Sequence, residues 1–554
     1  MKQWWQKEVV YQIYPKSFYD SNHDGIGDVQ GIIQKLDYLK ELGVTMLWIC
    51  PIYASPMDDN GYDISDYYAI HPQFGTMEDV EELIQKAKAM GIKIIMDLVV
   101  NHTSDEHAWF QEAIKNPDSP YRDFYIFKEG KEGHAPTNWR SIFGGSVWEK
   151  VPNEDNMYYF HAFQKKQPDL NWENPKMRQA IYDMINWWLD KGIAGFRVDA
   201  INFIKKNQAY PDGIADGTDG LCSCIDYSRN QEGIEVFFQE LRKHTFDRHE
   251  CMSVAEACGV PYRQLAPFID EKDGCFSMMF DFNYCDFDIG DHEEWFIRKT
   301  WTPKEYRDML FLSQQEVNAL GWVASFLENH DQPRSVNKLI PIDEERNYYS
   351  KTMLGAMYFF LRGVPFIYQG QEIGMENACR HSIEEFDDCS SINQYHRALE
   401  EGFTEKEALH FVNMRSRDNA RTPMQWNDAT YAGFSDTAPW LALNDNYHMI
   451  NVEKDRQDVH SIFKFYQAMI QLRQNSEYSD ILTYGDFKGM KYQDEILAYQ
   501  RSYEGHVVEV ICNYSNTSQS VKLDGDIQVL LSNDDKIDGG LHLRPYGCVV
   551  VSIK

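Results

Sequence analysis

The chain has 554 residues, too many for one ordinary domain and the right number for a large α/β barrel with attachments. Its 54 basic and 86 acidic residues give a net charge of −32, which argues against nucleic acid or an anionic membrane as partner and favours a soluble protein with neutral or cationic ligands. It has no run of eighteen apolar residues, its MKQWWQKE start lacks signal-peptide zoning, and its eleven scattered cysteines suit a reducing compartment, so a cytoplasmic location is expected.

The first predicted strand, VVYQIYP, leads into DSNHDGIGD, Asp20 to Asp28. Asp20, Asn22 and Asp24 alternate before Gly25, which is the spacing of the first half of an EF-hand loop. The twelfth position requires a bidentate Glu but is Gly31, and a strand precedes the loop where an EF-hand has a helix. What remains is an oxygen-rich loop, either an ion site or a solvated Asp/Asn/Gly turn.

Helix and strand signals then alternate. DVQGIIQKLDYLKELG places Ile32, Leu36 and Leu39 on one face, and TMEDVEELIQKAKAMG does the same with Val80, Leu83, Ile84 and Ala87 behind a Thr76 cap. TMLWICPIY, IKIIMDLVVNH, AGFRVDAI, CMSVAEAC, SMMFDFNY, WVASFLENHD and VPFIYQGQE read as further strands, and SIFKFYQAMIQLRQ as the last helix. Eight strand–helix repeats predict an α/β fold, a closed (β/α)8 TIM barrel over 1–103 and 173–476. A doubly wound sheet is the alternative, but no Gly-x-Gly-x-x-Gly turn follows the first strand. Residues 104–172 read as a loop-rich insert after the third strand, over the barrel mouth. From 477 to 554 only short strands are read, a terminal antiparallel β-domain.

Barrel enzymes carry their chemistry at the C-terminal ends of the strands. Those ends hold His102, Arg197 with Asp199, Glu256, and His330 with Asp331. Charges in apolar strands are costly unless paired or functional, so three carboxylates, one Arg and two His at one mouth suggest acid/base and nucleophilic chemistry on a polar, neutral substrate. Arg197 lies two residues before Asp199, on the same strand face, and is expected to keep it ionised. Glu256 has no cation adjacent in sequence and is expected to hold a proton.

These segments resemble the motifs of the α-amylase superfamily of retaining glycoside hydrolases, over nearly the whole chain. QPDLNWENP (Gln167 to Pro175) and SRDNARTPMQW (Ser416 to Trp426) are similar to segments of the branch containing oligo-1,6-glucosidase, dextran glucosidase, α-glucosidase, trehalose-6-phosphate hydrolase and sucrose isomerase. The resemblance implies Asp199 as nucleophile, Glu256 as general acid/base and Asp331 as the group that grips ring hydroxyls, with His102 and His330 donating to the sugar. It also implies a structural calcium ion held by Asp20, Asn22, Asp24, Asp28 and the carbonyl of Ile26.

The resemblance further implies that Tyr62 stacks on the glucose ring and that Asp59 binds hydroxyls at its non-reducing end, paired with Arg417 in preference to Arg421. Phe143, Phe163 and Gln167 would line the pocket. Such a closed pocket implies exo-action on short oligosaccharides. Two positions depart from the commonest pattern: Glu328 ahead of NHDQPR, expected to affect the entrance, and Ala200 after the nucleophile, where α-1,6-preferring relatives typically carry Val. The expected activity is therefore a broad α-glucosidase; a strict α-1,6 enzyme, a sucrose isomerase and a trehalose-6-phosphate hydrolase using Lys205 and Lys206 are the alternatives. A non-catalytic sugar-binding role is disfavoured, because the catalytic set is intact.

Overall fold

The computed structural model describes residues 2–290, 294–523, 525–534 and 541–553. Eight parallel strands close a barrel: β1 Val10–Ile13, β2 Met46–Ile49, β3 Lys93–Val99, β4 Gly195–Asp199, β5 Met252–Glu256, β6 Met278–Phe280, β7 Val323–Ser325 and β8 Val364–Tyr368. Each pairs with its sequence neighbours, and β8 pairs back to β1. All eight predicted strands are present, and they are almost entirely buried because helices cover their outer faces. Gly195 opens β4 at φ 147°, and a Cβ there would lie 1.7 Å from the Met252 carbonyl oxygen, so β4 and β5 can close up only on glycine.

The helices follow their apolar periodicity. Met77–Ala89 starts at a reciprocal Thr76–Asp79 capping box and buries Val80, Leu83, Ile84 and Ala87. The helix predicted over 28–43 is two, Val29–Gln34 and Leu36–Leu42, divided at Lys35. There the backbone leaves the helical region, and the ammonium sits over the rings of Tyr19 and Trp426.

Within 104–172 lie a helix, Ala108–Lys115, and a three-stranded antiparallel sheet built from Phe127–Glu129, Trp148–Lys150 and Met157–Phe160. Its Trp139, Trp148 and Phe160 form an apolar cluster with Phe203 and Tyr210 from beyond β4. A helical pair absent from the sequence reading, Cys389–Glu400 and Glu405–Arg415, follows β8 and stands beside the same mouth. Among the described residues no helix is long and apolar enough to cross a membrane.

The C-terminal sheet comprises β9 Asp486–Gly489, β10 Ile496–Tyr503, β11 His506–Asn513, β12 Ile527–Ser532 and β13 Cys548–Ile553, all antiparallel. A helix, Ser479–Tyr484, precedes it where strands alone were expected. Two fully buried arginines lie where sheet meets barrel, Arg501 from the sheet and Arg473 from the last barrel helix. Arg501 donates to the carbonyls of Phe360, Leu482, Thr483 and Gly485, and Arg473 to those of Gln6, Gly363 and Leu482. Burial lowers Arg501 to about 9 and Arg473 to about 10, so both remain cations at neutral pH.

Candidate active site

The parallel register of β3 and β4 sets Arg197 opposite Asp97. Arg197 is fully buried and its guanidinium bridges three carboxylates: Nη1 lies 2.5 Å from Asp97 and 2.7 Å from Asp199, and Nη2 lies 2.5 Å from Glu256. Glu256 also accepts the Ala200 N–H at 3.0 Å. Glu256 was expected to hold a proton because no cation adjoins it in sequence; Arg197 reaches it from the adjacent strand, a contact that sequence adjacency cannot reveal.

Arg197 does touch Asp199, but it does not by itself keep that carboxyl in the ordinary range. Burial pushes Asp199 well above it; Arg197 opposes the shift, and Glu256, Asp97 and Asp331 add to it. A single guanidinium is thus shared among three carboxylates, too little to offset the burial of Asp199.

Asp331 is set the other way. Burial would raise it, but His330, Arg421 and Arg417 hold it well below the ordinary carboxylate range. His330 Nε2 lies 2.9 Å from Asp331, Arg421 Nη2 at 2.7 Å and Arg417 Nη1 at 3.3 Å. The Gln12 amide from β1 meets His330 Nδ1 at 2.8 Å, and with its nitrogen donating there Nε2 carries the proton that faces Asp331. His330 also stacks on Tyr62, with ring centroids 5.3 Å apart at 6°.

The far side of the cavity is closed by Asp59. Arg417 Nη2 lies 3.1 Å from one of its oxygens, and the Gln167 amide donates to the other at 3.1 Å. Gln167 also meets His102 Nε2 at 3.2 Å, and burial lowers the pKa of that histidine. Tyr62, Phe143, Phe163 and Ala200 line the same cavity of about 200 Å³ as Asp59, Asp199, Glu256 and Asp331. Ala200 stands in the left-handed region, φ 40° and ψ 35°.

Glu328 is not at the entrance. It is buried, pairs with Arg334 at 3.0 Å and accepts the Ser335 N–H, so it anchors the turn after β7. Lys205 pairs with Glu173 at 2.7 Å and buried Lys206 with Asp169 at 2.6 Å, so each charge is already matched.

The sequence reading passed over several residues. Asp97, inside the strand read as IKIIMDLVVNH, carried the same signal that selected Asp199: a charge in an apolar run. Asp388 caps the helix Cys389–Glu400 and binds Arg417 at 2.7 Å, which aims that guanidinium at Asp59 and Asp331. Arg415, with Arg417 and Arg421 a candidate partner for Asp59 from the sequence, lines the cavity but is held by Asp286 and by Gln332 at 2.8 Å. Its position depends on the unforeseen helical pair.

In the loop after β1, Asp20 accepts the N–H groups of Asn22, His23 and Gly25 and the Ser435 hydroxyl, Asn22 accepts from Asp24, and Asp24 from Ile26. Asp28 caps the following helix through Gly31 N–H and also binds Ser21. Gly25 has φ 89°, and a Cβ there would strike the Ala438 carbonyl. The donors are oxygen throughout, which fits a hard divalent cation. As they stand, the chain's own N–H and O–H groups engage these side chains. Among the described residues no three His, Cys, Asp or Glu side chains are grouped so as to hold a metal.

Residues 12–485 match the alpha-amylase catalytic domain. Among similar proteins, a probable oligo-1,6-glucosidase 3 of Bacillus subtilis is 45% identical over 550 residues, covering 98% of this chain and 96% of that one. The trehalose-6-phosphate hydrolase of the same organism is 41% identical over 562 residues, covering 99% and 98%. The solved isomaltulose synthase of Klebsiella sp. LX3 superposes with a TM-score of 0.94 at 35% identity, covering both chains fully.

Proposed function

The chain belongs to the alpha-amylase catalytic-domain family, and from that premise we propose that it is an exo-acting, retaining α-glucosidase that releases glucose from the non-reducing end of short α-linked gluco-oligosaccharides. The observation that carries the proposal is one cavity lined by Asp199, Glu256 and Asp331 and closed on one side by the Asp59–Arg417 pair. A sugar entering it can extend only away from that pair, so one ring is cut off at a time.

In this reading Asp199 attacks the anomeric carbon as Glu256 gives its proton to the departing oxygen. Glu256 then takes a proton from water, which displaces Asp199 with a second inversion. The shared guanidinium suits this two-step course, because it keeps both carboxyl groups close, as retention requires. Asp331, held ionised by its cations, accepts ring hydroxyls and stabilises positive charge developing on the ring. Asp20, Asn22, Asp24, Asp28 and the Ile26 carbonyl would hold a calcium ion that braces the loop, outside the bond-breaking steps.

A neutral leaving group is favoured over a phosphorylated one, because Lys205 and Lys206 are each engaged by a carboxylate. Ala200 favours a broad linkage range, with α-1,4 bonds accepted beside α-1,6. The test is glucose release from maltose, isomaltose, sucrose and trehalose 6-phosphate, with proton NMR of the first anomer formed. α-Glucose from maltose and isomaltose is expected, and Asp199→Asn should abolish turnover. β-Glucose, or hydrolysis of trehalose 6-phosphate alone, would overturn the reading.

A further inference from the structure

The Asp59–Arg417 pair that closes the cavity is itself held in a ring of contacts. Arg417 is fixed by Asp388, which lies 2.8 Å from Nε and 2.7 Å from Nη2. The preceding carboxylate, Asp387, accepts a hydrogen bond from the Asn60 amide at 3.1 Å. Asn60 follows Asp59 in the chain, and Asp59 returns to Arg417 at 3.1 Å. Peptide bonds make the steps 59–60 and 387–388, and polar contacts make the rest. Asp59 and Arg417 line the cavity, whereas Asn60, Asp387 and Asp388 stand behind it.

Asn60 is buried at φ 50°, with Gly61 following at φ 103°. Glycine would adopt the first of these conformations at lower steric cost, so the turn alone does not call for Asn. What Asn adds is a primary amide, and both of its ends are engaged. Its oxygen accepts from Lys16 Nζ at 2.6 Å while its nitrogen donates to Asp387. A cation on one side and a carboxylate on the other leave the amide a single orientation. Lys16, just beyond β1, is seated in turn with its ammonium 3.7 Å from the centroid of a Trp440 ring. On the opposite side Asp418, next in sequence to Arg417, accepts the N–H groups of Asp387 at 2.8 Å and Asp388 at 3.2 Å. The end of β1, the loop after β2 and the stretch before Cys389–Glu400 are therefore fastened together directly behind the blind end of the pocket.

We propose that Asn60 and Asp387 are positioning residues for substrate recognition: the bond between them holds Asp59 and Arg417 where both meet the hydroxyls of the terminal glucose. The inference rests on the glucosidase reading. A glucose with its anomeric carbon at Asp199 turns its 4-hydroxyl, on the far side of the ring, to the closed end. That hydroxyl is remote from the bond being cut, so its contacts count equally in ground and transition states and are read in KM.

The experiment measures kcat and KM on an aryl α-glucoside and on its 4-deoxy analogue, for wild type, Asp387→Ala, Asp387→Asn and Asn60→Gly. Asp387 is exposed, so its variants disturb no packing. Asp387→Ala should raise KM on the glucoside about three- to tenfold, the worth of one hydrogen bond, with kcat kept within about twofold. Asn60→Gly, which keeps the left-handed backbone and drops the amide, should do the same. Asp387→Asn retains an acceptor oxygen and should bring KM back to within about twofold of wild type. Removing the 4-hydroxyl should cost Asp387→Ala and Asn60→Gly less than it costs wild type, a difference that a general loosening of the fold would not produce. An unchanged KM in Asp387→Ala and Asn60→Gly, or a fall in kcat alone that is equal on both glucosides, would overturn the positioning role and leave the glucosidase reading standing. A wild type that cleaves neither glucoside would remove both.

Discussion

Replacing Arg197 by Met removes the cation that touches Asp97, Asp199 and Glu256 but keeps much of the buried volume. Unit charges ~4 Å apart at an effective dielectric of ~20 interact by about 4 kcal/mol, or about 3 pKa units at ~1.36 kcal/mol each. The Asp199 carboxyl, already raised by burial, should climb further. Near neutral pH the nucleophile is then mostly protonated, and kcat/KM should fall about 10²- to 10³-fold, recovering about tenfold per pH unit as the solution is made more alkaline. The assay is a pH profile of kcat/KM on a simple glucoside, in which the acid limb should move upward. Stability gives a second sign: a carboxyl whose folded pKa exceeds its unfolded value contributes stability at low pH and loses it as pH rises through the folded value. The variant should therefore unfold more easily as pH increases, with about 3–5 kcal/mol lost once the carboxylates ionise without their partner. A fall in rate with an unmoved acid limb would refute the electrostatic role and leave Arg197 a packing residue.

Exhaustive chelation should lower the melting temperature, with calcium restoring it better than zinc, because DSNHDGIGD offers oxygen donors only; an unchanged melting curve and a metal-free elemental analysis would return the loop to a plain turn. Ala200→Val should reduce kcat/KM for maltose relative to isomaltose by about tenfold, and should also cost about 1–2 kcal/mol of stability, because residue 200 sits in the left-handed region. An unmoved ratio would assign linkage preference elsewhere. Asp59→Ala should lower glucose release and let longer products appear from oligosaccharides, read by product chromatography; glucose as sole product at wild-type rate would take Asp59 out of the pocket wall.

The barrel was legible because each of its eight strands is a short apolar run bounded by turn signals, and the residues breaking those runs are the ones that face the mouth. Arg197 and Asp199 could be placed on one face from spacing two alone. What spacing could not give was reach across strands. Arg197 joins Glu256 by barrel closure, and Glu328, which a motif comparison put at the entrance, turns inward to Arg334. The helical pair over 389–415 was also missed, and with it Asp388, which fixes Arg417 from a sequence distance of 29 residues. Such contacts arise from packing between remote segments and leave no periodic trace.

The two arginines that tie β10 and the last barrel helix to backbone carbonyls carry a consequence for the molecule as a unit. Among the described residues neither has a carboxylate partner at ion-pair distance, so each charge is tolerated only while several separate stretches of chain stay in place around it. Pulling the terminal sheet away would take the Arg501 cation out of its nest of carbonyls and leave those of Phe360, Thr483 and Gly485 without that donor, while Leu482 would be left to Arg473 alone. The sheet is thus no removable appendage but a lock whose bolts are seated in the catalytic half. Heating should melt the chain in one calorimetric step, and a nick or deletion near the C-terminus should forfeit the enzyme as a whole; two well-separated transitions would show that the bolts do not hold.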